Sequence, residues 1–304
     1  MWAPVAAGGG IAHLHAMPIA YLPERGVLEV TGEDRTAFLQ GLVTNDVAGA
    51  GPPSPAAEPQ GPSGLGTAVF AALLSPQGKW LAEFLILADG DRLLLDCERA
   101  QAAMLAQKLT RFRLRSRVAV RDASAEFAVH AGWGGAPVPP DTIAAPDPRL
   151  PEAGWRALAP APLPADASPE DWDRHRLALG LPEGSRDLVP EQTVLLEAGY
   201  DELHGVSWTK GCYMGQELTA RTKYRGLLKR RLVPVAVDGP LPAPGTPVLA
   251  GGAEVGAMRS GRDGSGIAQL RLDALDGRRL ACGEAVLTPR IPGWMVIPAR
   301  EPVV

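Results

Sequence analysis

The sequence predicts an α+β protein whose last quarter closes into a small β-barrel. Three observations carry that expectation. Strand-like and helical runs are mixed without strict β-α repetition, which disfavours a doubly wound parallel sheet. Three apolar runs, TAVFAALL, KWLAEFLIL and RLLLDC, are split by the turn formers SPQG and ADGD and read as an antiparallel meander. Beyond Lys229 helical periodicity disappears, and RRLVPVAV, TPVLAG, AEVGAMRSG, GIAQLRLDAL and CGEAVLTPRI follow between glycines and prolines. At 304 residues the chain can hold two cores. The expected division is a poorly ordered start over 1–25, an α+β body over 26–229 and a barrel over 230–304.

In chain order, the start carries Gly8 to Gly10, with neither a preceding strand nor a following GK[ST], and the pair His13 and His15, which make no metal motif. GVLEVT (26–31) reads as a strand, and EDRTAFLQGLV reads as a helix with Phe38 and Leu42 one turn apart. Thr44-Asn45-Asp46 closes that helix as turn residues do. Gly49 to Gly66 is too rich in Pro, Gly and Ser to bury a face, and a mobile loop is expected. After the meander, ERAQAAMLAQKLTRF repeats apolar residues at helical spacing through Leu105, Leu109 and Phe112, and VAVRD returns to alternation. Loops are expected at Gly132 to Pro148 and Ala159 to Asp166. Ser168-Pro169-Glu170-Asp171 has an N-cap, a proline at the first helical position and an acid three residues after the cap, so a helix should run to about Leu179.

The formal net charge of -4 excludes a general electrostatic affinity for nucleic acid or an anionic membrane. The three cysteines, Cys97, Cys212 and Cys282, contain no CxxC pair and are too few for a disulfide framework or a four-cysteine metal site. No stably bound metal is expected. No Lys or Arg precedes Arg25, and no apolar run reaches the roughly 18 residues that span a bilayer, so a soluble, cytoplasmic protein is expected.

Chemistry concentrates in KGCYMGQELTAR, Lys210 to Arg221. Gly211 and Gly215 bracket Cys212, and GQELTAR has the composition of a first helical turn. A helix N-terminus ahead of Cys212 and Lys210 beside it would both favour the thiolate, the nucleophilic and metal-binding form. The residues alone also allow a small buried hydrophobe, the reading that suits Cys97 and Cys282 better. Gln216 and Glu217 either bond a polar ligand or cap the loop. Arg221, Lys223, Arg225, Lys229, Arg230 and Arg231 run without an intervening acid. They could hold an anion, such as a polyglutamate tail, a phosphate or an acidic partner, or form a solvated helix end.

The KGCYMGQE block resembles the signature of the YgfZ family, folate-binding-like iron-sulfur maturation factors related to glycine-cleavage aminomethyltransferase. The flank from GLPEGSRDLVPEQ to LLKRRLVPV looks like its mitochondrial and alphaproteobacterial branch, and VLEVTGEDRTAFLQGLVTNDV, LLSPQGKWLAEFLIL and DPRLPEAGWRAL are similar as well. The resemblance implies two aminomethyltransferase-like lobes and a C-terminal β-barrel around a folate-sized cavity. It further implies tetrahydrofolate or a derivative as cofactor, iron-sulfur carriers and [4Fe-4S] client enzymes as partners, Cys212 as the reactive residue, and Lys210, Gly211, Tyr213, Gly215, Gln216, Glu217 and Arg221 as cofactor contacts. Where the transferases carry paired aspartates this chain has Ala82 and Glu83, and where they carry a pterin-contacting glutamate it has Ala178, with Glu197 nearby as a substitute. The implied function is therefore cluster assembly or repair; the alternatives are a tetrahydrofolate-dependent one-carbon transferase and a non-catalytic adaptor for iron-sulfur carriers.

Overall fold

The computed structural model describes residues 17–51 and 65–298. The histidine pair, the Gly8 to Gly10 run and most of the expected 49–66 loop lie outside them. The chain forms β1 (Ile19–Tyr21), β2 (Arg25–Thr31), α1 (Arg35–Gln40), β3 (Ala68–Leu74), β4 (Trp80–Asp89), β5 (Arg92–Glu98) and α2 (Ala102–Phe112). Then follow β6 (Ala119–Asp122), β7 (Ala128–Gly132), β8 (Ile143–Pro146), β9 (Trp155–Ala159), α3 (Pro169–Leu179), α4 (Gly184–Asp187) and α5 (Gln216–Tyr224). The remaining strands are β10 (Arg230–Asp238), β11 (Pro247–Ala250), β12 (Ala253–Arg262), β13 (Ser265–Arg271), β14 (Leu280–Cys282) and β15 (Ala285–Pro289).

Strand order is β3-β4-β5-β2-β6 in one antiparallel sheet and β1-β7-β9-β8 in a second, while β10-β13-β12-β11-β14-β15 closes into a barrel. The meander is buried on both faces. Phe84 and Ile86 of β4 pack toward Leu105 and Leu109 of α2, whereas Leu85 and Leu87 pack toward Val129 and Leu158 of the second sheet. Two covered faces explain why WLAEFLIL reads as a continuous apolar run. They also isolate Glu83, which shares the inner face with Leu85 and is buried.

Three elements differ from expectation. The start of the fold is not at residue 26: β1 pairs with β7 from Ile19 to Tyr21, a strand too short to show periodicity. α1 ends at Gln40, and Leu42 lies beyond the helix because Gly41 closes it. β8 occupies part of the expected 132–148 loop. It pairs only with β9, at the sheet edge, where Pro146 leaves no ladder hydrogen bond unmade. The α3 start is as expected: Ser168 accepts from the Asp171 N–H, Asp171 accepts from the Ser168 N–H, and the helix ends at Leu179 before a left-handed Gly180.

The barrel meets the α+β body along a polar seam on α3. Arg262 Nε donates to Asp173 Oδ2 at 2.8 Å, and Arg176 Nη2 donates to Ser260 Oγ at 3.0 Å. No helix of the described residues is long and apolar enough to cross a membrane.

His130 of β7 is fully buried and its Nε2 accepts from the Leu163 N–H at 3.1 Å. Burial lowers its pKa from the ordinary 6.5. The folded state therefore binds this proton less readily than the unfolded chain, and stability should fall as pH drops below about 6.5. The His130 ring resonance should titrate with a half-point below that of an exposed imidazole; a half-point at or above 6.5 would refute the assignment.

Candidate functional site

The motif loop is held from four directions. The Lys210 ammonium donates to the Val43 and Asn45 carbonyls at 2.6 and 2.8 Å and lies 5.3 Å from the centre of the Tyr213 ring. Burial pushes its pKa down to about 8, with Asp46 opposing the shift. The Met214 N–H bonds the Gly41 carbonyl at 3.2 Å, and Gln216 Oε1 accepts from the Tyr213 N–H at 3.1 Å. Gly215, with φ +81°, seats against the β3–β4 turn. A Cβ there would lie 2.6 Å from the Ser75 carbonyl oxygen and 2.9 Å from the Gly78 Cα, contacts that rigid backbone cannot relieve. Gly211 also has a positive φ, +98°, but faces open space.

Within this clamp Cys212 is exposed, whereas Cys97 and Cys282 are buried. α5 begins at Gln216, with Gly215 as its N-cap, so Tyr213, Met214 and Gly215 separate the thiol from the helix. Lys210, expected to act on the thiol, directs its charge at the two carbonyls and serves as a clip. Tyr213 is packed inside, and burial raises its phenol to about 12. Glu217 is exposed and pairs with Arg221.

The basic run divides. Arg221 and Lys223 pair with Glu217 and Asp201. Arg231 is buried in β10 and bonds Glu202 at 2.8 Å, so it holds the fold together. Arg225, Lys229 and Arg230 form no ion pair among the described residues. The turn Thr44-Asn45-Asp46 does more than close a helix: Thr44 Oγ1 donates to the Gly205 carbonyl and Asn45 Nδ2 to those of Phe70 and His204. It thereby carries the platform on which Lys210 rests. Nothing in its composition distinguishes it from an ordinary turn.

A second locus lies elsewhere. A cleft of about 460 Å³ opens between the start of β2, α3 and α4, lined by Leu22, Arg25, Trp172, Asp173, Glu183 and Arg186 among others. Arg25 and Glu183 are shared with an inner cavity that also touches Phe70, Glu83, Arg149 and Arg156, where about 10 Å³ is free, room for one water at most. Glu83 Oε1 accepts from the Gly184 N–H at 2.7 Å and Oε2 from the Tyr200 hydroxyl at 2.5 Å; burial raises its pKa against those bonds. Burial would also raise Glu183, but Arg176 and then Arg25 hold it down to about 2. Asp96 Oδ2 and Arg156 Nε are buried without a hydrogen bond but pair with each other at 3.4 Å, and Arg156 Nη1 is left as a buried donor without a partner.

None of the motif residues expected to contact a cofactor lines this cleft or cavity. Lys210, Tyr213, Gly215 and Gln216 hold the motif loop in place, Gly211 faces open space, and Glu217 and Arg221 pair with each other at the surface. Ala82 packs in the core on the opposite face of β4 from Glu83, and Glu197 accepts from Gln269 at 3.2 Å instead of reaching the cavity. The residues that build the cleft had no common signal in the sequence, because they come from distant segments. Among the described residues no cluster of three His, Cys, Asp or Glu side chains is placed to hold a metal ion.

Residues 229–297 match the C-terminal β-barrel domain of CAF17. The chain is 33% identical to the mitochondrial iron-sulfur cluster assembly factor IBA57 of Mus musculus over 92% of its own length and 86% of that protein. Against the Homo sapiens protein of the same name the identity is 33%, over 90% and 84%. The fold resembles glycine cleavage system aminomethyltransferase T from Bartonella henselae, with a TM-score of 0.70 at 14% identity, covering 93% of this chain and 88% of that one. An aminomethyltransferase-like fold with a terminal barrel is thus shown. The cytoplasmic location expected from a start without Lys or Arg and from the lack of a bilayer-length apolar run is overturned, since these relatives are named mitochondrial.

Proposed function

The chain belongs to the IBA57 group of YgfZ-family iron-sulfur cluster assembly factors, and from that premise we propose that it supports [4Fe-4S] maturation with Cys212 as its single contact to the cluster in transit. The observation that carries this reading is the contrast within one loop: an exposed thiol is framed by residues whose polar groups hold the backbone in place. One thiolate supplies one ligand, so the usual four-thiolate ligation must be completed by an iron-sulfur carrier or client. The mitochondrial names of the relatives support the organelle as the place of that work.

The cleft is the proposed seat of a folate. Its volume falls in the range of small-molecule sites, and its lining sets five carboxylates against three guanidiniums, which suits the donor-rich edge of a pterin. Arg25, Trp172 and Glu183 would hold the ring, and the bound folate would supply a one-carbon or redox-active pterin. The transferase alternative keeps a carboxyl, Glu83, on the inner cavity but has no space for a ring beside it. Tetrahydrofolate should quench tryptophan fluorescence saturably, with the same dissociation constant in wild type and Cys212→Ala, because thiol and cleft are separate. Absence of saturable binding would remove folate from the proposal. Loss of binding in Cys212→Ala alone would refute the separation.

A further inference from the structure

We propose that the outer face of α2, with the groove joining it to the motif loop, docks an acidic amphipathic segment of the protein that exchanges cluster with Cys212. This rests on the assembly reading above. The groove holds about 350 Å³ and is lined by Leu74, Lys79, Leu81, Lys108, Phe112 and Met214 among others. Met214 stands two residues after Cys212 in the chain, so the motif loop forms part of the groove wall.

α2 turns Ala102, Leu105 and Leu109 into the core. Met104, Lys108 and Phe112, spaced four apart, share another face of the helix. Met104 and Phe112 are each 37% exposed. Leu114, just beyond the helix, is 89% exposed and held at φ +45°, a conformation that leucine disfavours. This apolar line is flanked by cations. Lys108, Arg111 and Arg115 form no ion pair among the described residues, although the whole chain carries net charge -4. Glu191 is the one acid lining the groove.

A local positive rim around apolar anchors complements a helix with apolar residues at every fourth position and carboxylates beside them. A nucleic acid is disfavoured because the groove offers a single aromatic ring, Phe112, for stacking and is otherwise lined on its apolar side by Leu74, Leu81, Pro76 and Met214.

The test uses a fluorescein-labelled synthetic helix of about four turns with leucines at i, i+4 and i+8 and flanking glutamates. Controls are its lysine counterpart and a single-stranded oligonucleotide. The acidic peptide should bind saturably below about 1 mM, and roughly tenfold more weakly to Lys108→Glu and to Phe112→Ser. Both positions are at the surface, and circular dichroism verifies their folding. Equal or better binding of the basic peptide or the oligonucleotide, no saturable binding, or indifference to both substitutions would overturn the proposal. Cys212→Ser should bind the peptide as wild type does. If the peptide fails while Cys212→Ser still abolishes client activity, the docking surface alone falls; if the peptide binds while Cys212→Ser is harmless, the thiol reading alone falls.

Discussion

Cells lacking their own copy and given the Cys212→Ser chain should show [4Fe-4S] client activity at the level of the deletion, roughly tenfold or more below wild-type rescue. The substitution removes one exposed sulfur, and a surface change of that kind costs roughly 0.5 kcal/mol of stability or less. Purified Cys212→Ser should therefore unfold at the wild-type denaturant midpoint, which separates loss of chemistry from loss of protein. Two internal controls sharpen the result. Cys97 is buried in β5, and burial pushes its thiol up to about 12; Cys282 is buried in β14, and burial raises its thiol too. Neither presents a thiolate, so conservative replacements there should leave client activity intact once folding is matched. Lys210→Met should give an intermediate phenotype, because it removes the clip to Val43 and Asn45 but leaves the thiol. Full rescue by Cys212→Ser would end the proposal that this residue contacts the cluster, whatever the family membership of the chain.

What the sequence revealed, and what it withheld, follows from the range of the interactions involved. The capping box of α3 is local chemistry over four residues, and it stands as read. The barrel strands were legible because each must alternate or bury within a few residues of a turn. The motif loop was legible as a composition, but its bonding was not. Lys210 reaches back to Asn45, a separation of 165 residues, and no spacing rule connects them. The buried ion pairs behind the cleft are the extreme case. Arg25, Asp96, Asp147, Arg156 and Glu183 are unremarkable individually, and each acquires meaning only when β2, β5, β9 and the turn before α4 converge. β8 and β1 were missed for a related reason: short edge strands draw their stability from a partner strand and carry little signal of their own.

The largest stability effect is expected at that convergence, in Arg176→Met. Arg176 is 1% exposed. Its Nε donates to Asp173 at 2.7 Å, Nη1 to Asp187 at 2.8 Å and to the Leu181 carbonyl at 3.2 Å, and Nη2 to Ser260 of the barrel at 3.0 Å. Glu183 Oε2 lies a further 3.4 Å away. Methionine matches much of the aliphatic volume but leaves buried carboxylates without their central cation, a change that costs about 3 to 5 kcal/mol. The acid dependence gives the prediction a second, independent form. With Arg176 present, Glu183 is held at about 2, below its ordinary 4.5. The stability this contributes is present above about 4.5 and is lost as pH falls toward 2. Removing Arg176 relaxes that depression, so the gap between wild type and variant should be widest at neutral pH and narrow as pH falls from 4.5. Denaturant midpoints measured at pH 7 and at pH 3.5 decide the matter. A gap that is equal at both pH values, or below about 1 kcal/mol at pH 7, would show that Arg176 does not hold Glu183 ionised. Because Glu183 lines the cleft, the same variant should weaken tetrahydrofolate binding even where it is fully folded, while the Cys212 loop, anchored through Lys210 and Gly215, keeps its shape.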